Sequence, residues 1–290
     1  MRSFSLAVAL LLSPMASVWA EEAAAPSRVV SIGGAVTEIL YALGQESRVV
    51  GVDTTSLFPP EALGRKPNVG YMRALSAEGV LSLSPDLVLM DEGAGPKEAV
   101  ALLDASGVRV EHVPTGHSVA ELHEKVVKVA SVVGNAAKGE EMANRIDGEF
   151  ASLAASLGQI ERKRRVLFIL SLVDGRPNAA GSDTGADAVI RLAGAENVFG
   201  DVKGYKTLST EALAALAPDV ILLVSRAGPS NAPDPMSVPA LAATPAGQSG
   251  AVIRMDAAYL LGFGPRTPAA VRDLAAKLYP EKNLLAAGAR

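Results

Sequence analysis

Cysteine is absent from this chain of 290 residues. Disulfide bonds, thiolate metal sites and a lipid-accepting cysteine are therefore excluded, so an exported fold would have to rest on core burial. Long runs of one charge are also absent, and the net charge is −4. We therefore expect neither nucleic acid nor an anionic membrane surface as a partner. Hydrophobic residues make up 49% of the chain, which is long enough to bury one or two cores.

A long hydrophobic run is missing too, since the apolar stretch near the N-terminus covers only residues 4–12. A membrane span needs about 20 apolar residues, so this stretch is too short to cross a bilayer. It follows Arg2 and precedes Pro14 and the small-residue sequence SVWA. The pattern predicts a secretory signal peptide at residues 1–20, cut after Ala20, and a mature protein in the periplasm.

Signals for catalysis and metal binding are weak. His112, His117 and His123 are close in sequence, but they fall at a strand end, before a helix and inside it, so we expect capping and packing rather than zinc binding. The segment GSDTG at residues 181–185 lacks the G-x-S-x-G spacing of a nucleophile elbow, and no phosphate-binding loop is present. The sequence predicts no catalytic residue and a protein that is not an enzyme.

Short β-branched runs alternate with helical stretches along most of the chain, which predicts parallel sheets built from βαβ units. The predicted strands cover residues 28–32, 49–52, 87–90, 109–113, 166–170, 220–224 and 251–255. The predicted helices include residues 35–43, 96–105, 118–133, 184–192 and 267–279, whereas residues 53–66 and 174–183 read as loops. The sequence therefore predicts an α/β fold.

One long helix, predicted over residues 137–157, interrupts this alternation, and its apolar residues recur at spacings of three and four. LSAEGVLSLSPDLVLM at residues 75–90 and LSTEALAALAPDVILLV at residues 208–224 repeat one pattern on either side of it. The repeat favours two α/β lobes with a cleft between them. The predicted boundaries are a signal peptide at 1–20, an N-terminal lobe at 21–135, a connecting helix at 136–160 and a C-terminal lobe at 161–290.

The segment PNVGYMRALSAEG, residues 67–79, places Tyr71 and Arg73 two residues apart in a glycine-bounded turn. A neighbouring positive charge favours the ionised form of a phenol, and an ionised phenol is a hard metal ligand. Tyr71 is therefore the candidate functional residue. The alternative is a turn tyrosine that packs its ring and leaves its hydroxyl in water.

The stretches SIGGAVTEILYALG, VVGVD and AEGVLSLSPDLVL resemble the first lobe of the ABC-transporter periplasmic binding proteins for haem, ferric siderophores and cobalamin. GYMRALSAEG and YLLGFGPRTPAAV are similar to the haem-binding members. The resemblance covers essentially the whole predicted mature chain. It implies two Rossmann-like lobes joined by a single long helix, the class III arrangement of periplasmic binding proteins.

The resemblance also implies that Tyr71 is the axial ligand of ferric haem, carried as the transported ligand, and that Arg73 holds the phenolate ionised. Met72 and Leu75 are then expected beside the macrocycle. Arg226 follows a predicted strand and is expected to meet a haem propionate or the Tyr71 oxygen, or else to form a salt bridge at the cleft mouth. Weaker propionate candidates are Arg176 and Arg266.

This sequence departs from the family pattern at Leu172, which stands where several haem-binding relatives carry a histidine. The iron is therefore expected to be five-coordinate. The departure also argues against tight ligation from both sides and against two stacked haems.

By position, Glu78 and Glu196 match the two acidic residues with which family members dock on their permease, although exposed glutamates are common at helix ends. The implied partners are an inner-membrane ABC permease with its ATPase and, upstream, an outer-membrane haem receptor. Two alternatives stay open. One is the same fold carrying a ferric siderophore or cobalamin, and the other is a periplasmic enzyme or cell-envelope scaffold.

Overall fold

The computed structural model describes residues 25–158, 160–225, 234–282 and 284. Within them the strands are β1 Val29–Ile32, β2 Val49–Val52, β3 Leu87–Asp91, β4 Arg109–Val113, β5 Arg165–Val173, β6 Arg176–Ala180, β7 Glu196–Asn197, β8 Tyr205–Thr207, β9 Val220–Ser225 and β10 Val252–Asp256. The first six helices are α1 Gly34–Ala42, α2 Pro60–Arg65, α3 Ala77–Leu81, α4 Lys97–Asp104, α5 Val119–Val132 and α6 Ala136–Leu157. The other six are α7 Gly185–Leu192, α8 Thr210–Leu216, α9 Pro239–Ala242, α10 Pro245–Ser249, α11 Ala257–Leu261 and α12 Thr267–Leu278.

The strands form two separate sheets. The first sheet has the order β2-β1-β3-β4, and all of its pairs are parallel. The second has the order β10-β9-β5-β6-β8, with β7 beside β5. Strands β1 and β3 are buried along their whole length, as expected for parallel strands whose two faces are both covered by helices. The predicted α/β class, with two lobes joined by one helix, is confirmed.

Helix starts in both lobes are fixed by side-chain caps. The Ser118 hydroxyl accepts a hydrogen bond from the Glu121 backbone N–H, and the Glu121 carboxylate accepts one from the Ser118 backbone N–H, which completes a capping box. Ser76 and Thr184 cap α3 and α7 in the simpler way, by accepting one backbone N–H each. These caps explain why helix starts could be predicted to within a residue or two.

The 22-residue helix α6 lies between the two sheets in the chain. Its buried face includes Met142, Ile146, Phe150 and Leu153, the apolar positions spaced at three and four. It packs against both α5 and α12. No helix among the described residues is both long and apolar enough to span a membrane.

One hydrophobic cluster runs through both lobes. It joins Leu40 of α1, Val126 of α5, Ile146 of α6, Val189 of α7 and Leu274 of α12. Two smaller clusters lie on the other faces of the two sheets. The lobes therefore share core and are not connected by a helix alone.

Three loop and strand predictions differ from the structure. Residues 174–183, predicted as a loop, contain strand β6, which pairs antiparallel with β5. Strand β5 continues to Val173, so Leu172 lies within it, paired with Pro177. The predicted loop at residues 53–66 contains helix α2.

The signal peptide at residues 1–20, with its cut after Ala20, lies outside the described residues. The same holds for Arg226. The lobe boundaries at residues 135 and 160 stay a prediction.

Candidate functional site

A cavity of about 600 Å³ lies between the two lobes. Its N-terminal wall includes Gly33, Thr54 and Asp91, which stand at the carboxyl ends of β1, β2 and β3. Its C-terminal wall includes Leu170 of β5 and Asp256 at the end of β10. Ligands of open α/β sheets bind at this edge, and the volume is in the range typical of small-molecule sites.

The turn that carries Tyr71 is held by backbone hydrogen bonds to two neighbouring loops. Gly70 has a φ of 96°, a conformation that glycine adopts without strain. Its carbonyl accepts a bond of 2.9 Å from Thr54 N, while the Met72 carbonyl accepts one of 2.8 Å from Gly95 N. Backbone bonds therefore hold Tyr71 at the cleft wall.

Tyr71 and Arg73 meet as their spacing predicts. Arg73 Nη1 donates a hydrogen bond of 3.1 Å to Tyr71 Oη. The tyrosine is 43% exposed and lines the interlobe cavity, as does Arg73. An exposed phenol that accepts a bond from a guanidinium is a group that can bind a hard cation.

The two apolar residues expected beside a ligand lie in different places. Met72 is 8% exposed, and it packs into the N-terminal core while touching the cavity wall. Leu75 is buried in the same core and is not among the residues that line this cavity. Leu57 and Phe58, which the sequence did not single out, are exposed on the N-terminal wall of the cavity.

Arg266 ties the two lobes together. Its backbone N and Nε donate bonds of 2.8 and 2.9 Å to the two carboxylate oxygens of Glu38, a buried residue of α1. The guanidinium also lies 3.5 Å from the ring centroid of Phe58. Arg266, expected as a weak propionate candidate, is therefore engaged in an interlobe ion pair.

The residues that line the cavity include a buried lysine. Lys125 of α5 is 2% exposed, and its Nζ donates a bond of 3.3 Å to the carbonyl of Phe263 in the other lobe. Burial lowers the pKa of Lys125, against the charges of Asp91 and Glu121, which raise it. The bond between Lys125 and Phe263 is a second polar contact between the lobes.

His117 lies beside this lysine. Its ring packs edge-on against Phe263, with ring centroids 4.8 Å apart. Burial, and then the charge of Lys125, lower the pKa of His117. The other two histidines pair with acids: His112 with Asp104, and His123 with Asp147. No cluster of three or more potential metal ligands occurs among the residues that the structure describes.

The two predicted docking glutamates are both exposed, Glu78 in the first turn of α3 and Glu196 on β7. The sequence repeat also places Glu211 in the first turn of α8. The hydroxyls of Ser76 and Ser209 cap these two helices, each accepting a hydrogen bond of 3.2 Å, from Gly79 N and Ala212 N respectively. Glu211, not Glu196, is thus the structural counterpart of Glu78, and aligning the two repeats residue by residue could have found it.

Two α/β lobes, one long connecting helix, a shared core and a cleft at the strand ends define the class III type of solute-binding protein. A family model described as periplasmic binding protein matches residues 29–259, and the chain belongs to this family.

Two similar solved structures are described as periplasmic haem-binding proteins. BhuT, described as a periplasmic haem-binding protein in complex with two haems, is 39% identical, with a TM-score of 0.81 over 88% of this chain and 98% of BhuT. RhuT from Roseiflexus sp. RS-1, described as a periplasmic haem-binding protein in apo form, is 36% identical, with a TM-score of 0.81 over 89% of this chain and 99% of RhuT.

Curated relatives are more distant. YvrC of Bacillus subtilis (strain 168), an uncharacterised ABC transporter substrate-binding lipoprotein, is 28% identical over 68% of this chain and 63% of its own length. A cobalamin-binding protein of Halobacterium salinarum (strain ATCC 29341 / DSM 671 / R1) is 28% identical over 68% of this chain and 53% of its own length. The chain therefore aligns with less than two thirds of the length of each of these two relatives.

Proposed function

We propose that this protein binds ferric haem in the interlobe cleft and delivers it to an ABC haem importer. The observation that carries the proposal is the exposed Tyr71 oxygen at the cleft wall, which accepts a hydrogen bond from Arg73 at 3.1 Å. A phenolate is a hard anionic donor suited to Fe(III), and tyrosine is a known axial ligand of haem. Arg73 stabilises the negative charge on that oxygen without binding the metal itself.

The walls of the cleft fit a flat, largely apolar ligand. Leu57, Phe58 and Phe263 line the cavity together with Leu261. Burial of the macrocycle between these side chains supplies most of the binding free energy, and the Tyr71–iron bond fixes the orientation. Arg226, outside the described residues, is proposed to contact a propionate or the Tyr71 oxygen.

Haem is favoured over cobalamin because the similar solved structures named as haem-binding reach 36% and 39% identity, against 28% for the cobalamin-binding relative. A siderophore or cobalamin stays the alternative ligand. The role is that of a carrier and not of an enzyme. We propose one five-coordinate haem per chain, since the side chain that β5 places on the cavity wall is the aliphatic Leu170, which cannot supply a sixth ligand.

Transport requires an exported protein and a docking partner. We propose that residues 1–20 are removed after Ala20 and that the mature protein acts in the periplasm, between an outer-membrane haem receptor and an ABC permease with its ATPase. Glu78 docks one lobe, and either Glu196 or Glu211 docks the other. Charge reversal of Glu78 is expected to lower haem uptake by cells while hemin binding is unchanged. The same reversal at Glu196 and at Glu211 tells which of them acts.

The ligand is tested by competition. Purified mature protein loaded with hemin is dialysed against a tenfold excess of cyanocobalamin or of a hydroxamate ferric siderophore. The proposal predicts that hemin is retained in both cases, at one equivalent per chain. Displacement by either competitor would assign the cleft to that compound instead. If the protein takes up no hemin, haem is not its ligand.

A further inference from the structure

The described residues that line the interlobe cavity include three lysine and arginine side chains, and two of these have partners. Arg73 donates a hydrogen bond of 3.1 Å to Tyr71 Oη, and Arg266 is paired with the carboxylate of Glu38. The third is Lys125 of α5. Among the residues that the structure describes, it forms no ion pair with a carboxylate. A positive charge without a direct counter-ion therefore stands on the cavity wall.

The Lys125 side chain lines the cavity although it is only 2% exposed. Its Nζ donates one bond of 3.3 Å, to the carbonyl of Phe263. An ammonium has three N–H donors, so two of them have no acceptor within the described part of the chain. Burial of a charge in this state is unfavourable, and it lowers the pKa of Lys125. An anion bound beside the ammonium would supply acceptors and raise that pKa again.

Two acids near Lys125 are engaged in their own loops. Asp91 Oδ1 accepts a bond of 2.8 Å from Thr115 Oγ1. Glu121 Oε2 accepts bonds from the backbone N–H and the hydroxyl of Ser118, in the capping box of α5. Burial outweighs the attraction of both carboxylates, since the pKa of Lys125 is lowered in spite of them. Neither acid therefore takes the place of a direct partner.

We propose that Lys125 is the counter-ion of a ligand carboxylate, which is a propionate when the ligand is haem. This inference rests on the proposed haem function and deepens it. Tyr71 and Lys125 line the same cavity, so one ligand can meet both, with its iron at the phenol oxygen and a carboxylate at the ammonium. A charge-assisted hydrogen bond shielded from water is stronger than a neutral one. It also fixes how the ring is turned about the iron bond.

This assignment narrows the class of ligand. Haem carries its carboxylates on the two propionates, whereas the ring substituents of cobalamin are amides. An amide beside Lys125 would leave the buried ammonium without an anion, and an unpaired buried charge opposes binding. Lys125 therefore favours a tetrapyrrole ring that carries carboxylates.

The test compares hemin with its dimethyl ester, in which both propionates are blocked and the iron is unchanged. The mature wild-type protein, Lys125→Met and Lys128→Met are titrated with each compound, and binding is followed by absorbance. Methionine keeps most of the length of lysine without its charge. Lys128 is the matched control, because it lies one turn further along α5 and is not among the described residues that line the cavity.

Lys125→Met is expected to bind hemin about tenfold more weakly than wild type does, because a charge-assisted hydrogen bond is lost. The same variant should bind the ester at least as tightly as wild type, and its hemin complex should keep the tyrosinate bands from Tyr71. Lys128→Met should match wild type with both compounds.

A loss of stability is separated from a lost contact by the melting temperature of ligand-free Lys125→Met. We expect it to equal or exceed that of wild type, since the substitution removes a buried charge. A lower melting temperature together with an equal loss of hemin and ester binding would assign Lys125 to the contact between the lobes and overturn the inference. Unchanged hemin affinity in Lys125→Met would overturn it as well. Failure of the wild type to bind either compound would overturn the proposed function too.

Discussion

The contact between Tyr71 and Arg73 could be predicted from the sequence, because two residues of one short turn meet without help from the rest of the fold. The bond between Arg266 and Glu38 could not, since 228 residues separate the two partners and only the docking of the lobes brings them together. Sequence spacing thus predicts local side-chain pairs, whereas pairs across the cleft need the assembled structure.

His117 makes stability depend on pH at the residue scale. Its pKa lies below the usual 6.5 in the folded protein because of burial and the charge of Lys125. As the pH falls below 6.5, the unfolded chain takes up a proton before the folded one does, so stability is present above that pH and is lost below it. We predict that His117→Phe reduces the difference between the melting temperatures at pH 7.5 and pH 5.0 by about 2 °C.

Phenylalanine is chosen for that substitution because it keeps a ring against Phe263. Thermal unfolding of both proteins in the two buffers is the measurement. An identical pH dependence in wild type and variant would show that His117 does not contribute to the loss of stability in acid.

At the scale of elements, the helices were predictable because periodic apolar residues and capping side chains agree on where they lie. Helix α5 carries a complete capping box at Ser118, and α6 repeats its buried residues at helical spacing. Strand β6 was not predictable in this way, because its sequence RPNAA has neither alternation nor β-branched residues. The signal was instead in the turn, where Asp174 and Gly175 both have positive φ, as in a two-residue hairpin.

Substitution of two glycines of α6 tests how closely this helix packs against α5. A Cβ on Gly139 would meet the Cβ of Ala130 on α5, whereas one on Gly148 would meet open space. We predict that Gly139→Ala destabilises the protein by about 1–3 kcal/mol through overpacking. Gly148→Ala, the matched control, is expected to stabilise it by about 0.5–1 kcal/mol through helix propensity.

Urea unfolding of the two alanine variants measures both changes. Equal stabilisation by both substitutions would contradict the close packing of α5 on α6. If both substitutions lowered the free energy of unfolding equally, the contact with Ala130 would not explain why Gly139 is sensitive to substitution.

At the scale of the whole molecule, the lobes are joined by more than the connecting helix. The large hydrophobic cluster includes residues of both lobes, and the Glu38–Arg266 and Lys125–Phe263 bonds cross between them. Such a shared core limits hinge motion, so we expect the cleft to close little around its ligand.

The shared core also predicts one cooperative unfolding transition. Lobes with separate cores would melt independently, whereas here loss of one lobe would expose the core face of the other. Scanning calorimetry of the ligand-free mature protein should show a single peak, with equal calorimetric and van't Hoff enthalpies. Two resolved peaks would contradict the prediction.

The most direct test of the account is the visible spectrum of the hemin-loaded protein and of its Tyr71→Phe variant. Tyr41→Phe serves as the matched control, since Tyr41 is partly buried on α1 and lines a different cavity. Wild type and Tyr41→Phe are both expected to show high-spin tyrosinate bands. In Tyr71→Phe these bands should be lost, and hemin should bind at least about tenfold more weakly. An unchanged spectrum and affinity in Tyr71→Phe would contradict the claim that this oxygen binds the iron.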